Sequence, residues 1–122
     1  MIRFLISAGA LACAGAIAAG AFGAHGLQGR LSARGLELWE TAARYLVYGG
    51  LGTILAGLAG LHGPGRVLPW AGLLLLTGAI VFSGTIFALA LGGPRWLGAI
   101  TPLGGILMIA GFLAFAWGAW KL

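Results

Sequence analysis

Side chains able to do chemistry are few in this chain, and most fall in one stretch. Phe22 to Tyr48 holds His25, Glu37, Glu40, Arg44 and Tyr45, both of the chain's acids and three of its seven bases; Ser83, Arg95 and Thr101 follow later. A histidine within reach of a carboxylate can move a proton. A glutamate four residues before an arginine on a helix is the better orientation for an ion pair, and a free guanidinium binds phosphate or carboxylate in a fork. The eight residues are therefore expected to gather at one mouth of a helical assembly. In that arrangement His25 hydrogen-bonds Glu40 or the Thr101 hydroxyl, and Arg44 balances Glu40. Two readings follow: a structural network that pairs polar groups near the membrane, or a pocket for an anionic headgroup or small ligand.

No nucleophile elbow, phosphate-binding glycine loop or metal-ligand cluster accompanies these residues. Catalysis would rest on His25 and Glu40 alone, so no catalytic residue, cofactor or metal is expected. His25 and His62 close successive apolar runs. That puts them at opposite faces of a membrane, roughly 30 Å apart, too far to share a metal or haem within one subunit. Cys13 is the chain's one cysteine, which excludes an internal disulfide.

The elements that must position these groups are set by composition. The 122 residues are 61% hydrophobic and 7% charged, with mean hydropathy +1.05. A soluble domain needs roughly 25% charged residues to clothe its surface, so this surface must face lipid. The net charge of +5 comes from scattered bases rather than a basic stripe, which argues against nucleic acid and for membrane lipids as partners.

Four apolar runs are long enough to span a bilayer, at about 4–24, 44–62, 68–91 and 102–120, in a single transmembrane domain covering 1–122. The first run is longer than the apolar core of a signal peptide and is expected to stay as a span. Between the first two, Ser32 is a helix N-cap. Leu36, Trp39 and Ala43 then recur on one face with Glu37, Glu40 and Arg44 on another, which predicts an amphipathic interfacial helix over about 32–43. On that reading no span carries an ionisable group at its centre. Thr101-Pro102 reads as a cap followed by proline at the first helical position, making 96–100 a short interfacial piece. The expected fold is an all-α membrane protein, a four-transmembrane-helix bundle with this interfacial helix between spans 1 and 2. Both termini share a side with Arg3, Arg66 and Lys121, against Arg30, Arg34, Arg44 and Arg95 on the other. The positive-inside rule then leans towards cytoplasmic first and third loops.

Four motifs add a resemblance. Gly20-Ala-Phe-Gly-Ala-His-Gly-Leu27, Thr41-Ala-Ala-Arg-Tyr45, Phe82-Ser-Gly-Thr-Ile-Phe87 and Thr101-Pro-Leu-Gly-Gly105 together resemble domain-of-unknown-function family 423, the YgdD-like and transmembrane protein 256-like small four-helix membrane proteins. The resemblance covers nearly the whole chain. It implies the four-helix fold, a place in the bacterial inner (cytoplasmic) membrane, and no known activity. One position departs: the family commonly has a histidine where this chain has Gly49. The function expected is that of a non-enzymatic interaction, lipid-binding or accessory protein, with a homo-oligomer or another membrane protein as partner. The alternative is a small oligomeric transporter or channel.

Overall fold

The structure is a computed structural model that describes all 122 residues. It contains four helices: α1 (Ile2–His25), α2 (Ala33–Ala59), α3 (Val67–Ala90) and α4 (Leu97–Trp120). Each is long and apolar enough to cross a membrane. Of 100 backbone hydrogen bonds, 82 lie within these helices. Lipid offers no substitute for water, so a spanning chain must satisfy its peptide groups internally.

Successive helices pack antiparallel in chain order. α1 lies on α2, α2 on α3 and α3 on α4; α1 barely touches α3, α4 barely touches α2, and α1 and α4 do not meet. The result is an open bundle. α2 and α3 form its centre, and α1 and α4 are edge helices with Leu11, Ile17, Ile106, Ile109 and Leu113 turned outward.

Glycine permits the close approach that replaces hydrophobic packing inside a bilayer. A Cβ on Gly9 would stand 2.7 Å from the Gly50 carbonyl oxygen, and one on Gly78 would stand 2.7 Å from the Gly104 carbonyl oxygen. The seven-residue repeat Gly104, Gly111, Gly118 is the α3-facing seam of α4, buried against Phe82, Leu75 and Leu68 respectively. At Gly49 a Cβ would collide with Ala79, so the position where the family commonly has histidine is a backbone contact here.

Two expectations fail. There is no separate interfacial helix: α2 runs unbroken from Ala33 to Ala59. The Ser32 cap is real, its hydroxyl accepting from Gly35 N at 3.0 Å. Past it, Trp39 is held in the bundle rather than at its surface. Its Nε1 donates to the Ala19 carbonyl at 2.7 Å, its ring lies against Gly23, and Phe87 packs edge-on at 4.5 Å. Those contacts to α1 and α3 hold the first turns of α2 upright.

The second failure is at α4, which starts at Leu97, with Pro102 inside it. Thr101 does not cap. Its hydroxyl bonds back to the Leu97 carbonyl at 3.1 Å and meets the Thr85 hydroxyl at 2.6 Å. Pro102 is the sixth residue of α4, past the four N–H groups that have no helical partner, so it leaves the Gly98 carbonyl without its i+4 donor.

Candidate functional site

Height in the membrane follows from the antiparallel contacts. The Tyr45 ring packs on Phe82 at 4.9 Å, and the backbone of Phe82 meets Gly104. Phe82 lies about 5 Å from the middle of α3 and Gly104 about 7 Å from the middle of α4, at 1.5 Å of rise per residue. Arg44, next to Tyr45, therefore sits about 5–7 Å from the bundle's mid-height, well inside a hydrocarbon core that reaches about 15 Å either way. Glu40, one turn further out, falls at about 12 Å, just within it. The uninterrupted α2 thus carries Glu40 and Arg44 on the spanning helix itself, off its centre, where the reading from sequence had put Glu40 in a separate interfacial helix.

The eight sequence-nominated residues share one half of the molecule but do not form the expected network. His25 ends α1, is exposed, and has no hydrogen bond to Glu40 or Thr101. Glu40 and Arg44 are exposed and make no ion pair; the chain's one ion pair is Arg34 to Glu37 at 3.6 Å, on the surface. Arg95 is exposed in the turn between α3 and α4. Of the eight, Thr101 is joined to another helix by hydrogen bond, through Thr85. Each hydroxyl has one proton, so one of the pair donates to its own helix (Thr85 to the Val81 carbonyl at 2.8 Å or Thr101 to the Leu97 carbonyl at 3.1 Å) and the other donates across. Ser83 is buried, and its hydroxyl has no partner.

Two hollows lie beside this charged strip. Glu40 borders a notch of about 150 Å³ with Gln28, Leu36, Trp39 and the end of α1. Deeper, Tyr45, Tyr48, Phe82, Met108, Ile109 and Phe112 line an apolar groove of about 320 Å³ between α2 and α4. Neither brings the guanidinium and the carboxylates together around one point. No three potential metal ligands converge anywhere in the chain.

Sequence reasoning placed Tyr48 only as a residue on the way into the membrane. Its ring stands 5.2 Å from Tyr45 and lines the apolar groove. The signal that finds it is the seven-residue recurrence of Glu37, Arg44, Leu51 and Leu58, with Glu40, Tyr48 and Leu55 between them. All seven are exposed on one outer face of α2.

Residues 19–105 match the family model described as Protein of unknown function (DUF423). The chain belongs to this family. A UPF0382 membrane protein of Staphylococcus haemolyticus is 46% identical over 113 residues, covering 92% of this chain and 91% of its own. One from Staphylococcus saprophyticus is 43% identical over 122 residues, 99% and 100% of the two chains. One from Staphylococcus aureus USA300 is 40% identical over 113 residues, 92% and 91%. No solved structure matches. The DUF423 match begins in the second half of α1 and ends in the first turns of α4. It therefore contains all of α2 and α3, the elements that carry Glu40, Arg44 and the central packing.

Proposed function

We propose that this DUF423 protein is a non-enzymatic interaction protein of the bacterial inner membrane that acts by lateral helix contact, first with a second copy of itself. One observation carries the reading: the outer face of α2 has the seven-residue period of a helix seam and no helix on it, yet it bears Glu40 and Arg44 within the span. An arginine facing lipid costs about 2.5–3.5 kcal/mol at a helix centre on insertion scales, and less at the off-centre height of Arg44, where the long side chain reaches towards the headgroups. A neighbour of opposite charge offsets that cost. The face is its own complement, because two copies in the same orientation bring Arg44 of each within one turn of Glu40 of the other.

The acid–base pair the sequence offers, His25 with Glu40, is not joined by a hydrogen bond. Transport, the second reading, needs a polar path. The Thr53 hydroxyl is spent on a helix carbonyl, and the Thr85 and Thr101 hydroxyls on each other and on one helix carbonyl, so such a path would have to form between copies.

Photo-crosslinking in native membranes tests the proposal. A photoreactive residue at Leu51, in the middle of the α2 face, should give an adduct at twice the monomer mass, and one at Leu113 on the outer face of α4 should not. Arg44→Glu should abolish the adduct by opposing like charges, and Glu40→Arg in the same chain should restore it. Lipid adducts alone at both positions would contradict the reading.

A further inference from the structure

The largest cleft lies at the other end of the molecule, away from every residue nominated above. It measures about 630 Å³ and is lined by Met1, by Ile2 and Arg3 at the start of α1, and by Arg66, Pro69 and Trp70 at the start of α3. We infer that this cleft binds the phosphate of an anionic phospholipid, with the Arg3 and Arg66 guanidiniums as its ligands.

The charge is uncompensated. Both acids, Glu37 and Glu40, belong to the opposite half of α2, and the single ion pair of the chain involves neither Arg3 nor Arg66. Two arginines sixty-three positions apart in sequence are thus brought to one hollow with no carboxylate to satisfy them. Guanidinium N–H groups match phosphate oxygens in paired hydrogen bonds. α3 reinforces the field: it begins at this cleft with Arg66 as its N-cap and no side-chain cap bond, so its first N–H groups and positive dipole end face the same side.

The walls select an amphiphile over a free anion. Met1, Ile2, Pro69 and Trp70 give apolar surface between and beside the two cations. Trp70 is half exposed at the end of a span, the depth at which tryptophan meets headgroups. A lipid would set its phosphate on the arginines and its glycerol and first methylenes over Ile2 and Trp70. The volume lies within the roughly 300–1,000 Å³ of small-molecule sites.

This site is independent of the α2 contact and is tested separately. The full-length protein in mild detergent is titrated with phosphatidylglycerol or phosphatidylcholine and read by native mass spectrometry. Each basic residue near an anionic surface is worth about 1 kcal/mol, so Arg3→Gln with Arg66→Gln should weaken phosphatidylglycerol binding about thirty-fold. Arg30→Gln with Arg34→Gln, which removes the same charge at the other end, should leave binding unchanged, and Arg3→Lys with Arg66→Lys should keep most of it. Equal loss in both glutamine pairs, or equal binding of the two lipids by the unaltered protein, would overturn the site. Displacement of the lipid by millimolar inorganic phosphate would overturn the lipid assignment in favour of a free anion. The lysine pair keeps the test decisive should the glutamine pair fail to fold.

Discussion

At the scale of single residues, this fold depends on atoms that are missing as much as on those present. Gly49 has no space for a methyl group, because a Cβ there meets Ala79, while a Cβ on Gly84 meets nothing within 4 Å. Gly49→Ala should cost about 1–3 kcal/mol by overpacking, and Gly84→Ala should be neutral or stabilise by about 0.5–1 kcal/mol. Thermal unfolding in detergent separates the two. The polar contacts are smaller. Trp39→Phe keeps the ring between Gly23 and Phe87 and removes only the bond to Ala19, so it should cost about 1 kcal/mol. A double-mutant cycle with Thr85→Val and Thr101→Val should give a coupling near 0.6 kcal/mol, the usual size for a hydrogen bond between membrane helices. A coupling indistinguishable from zero would mean that each hydroxyl is satisfied by its own helix alone.

At the scale of elements, the four apolar runs were legible because Gly26–Gly29, Gly63–Gly65 and Gly92–Pro94 punctuate them, and the Ser32 cap was legible from its residue type. The continuity of α2 was not. Leu36, Trp39 and Ala43 at helical spacing describe a helix equally well lying on a membrane or standing in it, since periodicity fixes which residues share a face and says nothing about the axis. What sets the axis is the long-range bond from Trp39 to Ala19 and the packing of Gly23 over its ring. The same limit hid Thr101: a Thr-Pro pair reads as a cap, and only the Thr85 hydroxyl on the neighbouring helix marks it as an interhelical contact. The candidate site was legible as a list and not as a geometry. His25, Glu37, Glu40, Arg44 and Arg95 do share one half of the molecule, but long side chains on an open surface have no neighbour to force them together. A helix–helix seam is testable at this scale too. Gly111→Leu, which drives a side chain into Leu75, should separate α4 from α3 and lower the unfolding temperature, whereas Gly105→Ala, with its nearest neighbour 3.6 Å away, should leave it unchanged.

At the scale of the whole molecule, the open order α1–α2–α3–α4 leaves both edge helices and the outer face of α2 to the surroundings. Burying the Glu40–Arg44 strip against a second copy, and anchoring the opposite end through Arg3 and Arg66, would give the protein a fixed neighbour and a fixed depth. Everything in that picture turns on α2 crossing the bilayer as one helix. The direct test is thiol accessibility along residues 33–66, using single cysteines in a Cys13→Ala background in sealed vesicles with a membrane-impermeant reagent. The structure predicts reactivity near Ala33–Glu37, protection from about Thr41 to about Leu58, and reactivity again at His62–Gly65 only after the vesicles are opened. Reactivity that instead rises and falls with helical period through Ala43, with protection starting only beyond Tyr45, would put residues 32–43 on the membrane surface, return Glu40 and Arg44 to water, and remove the basis for the α2 contact.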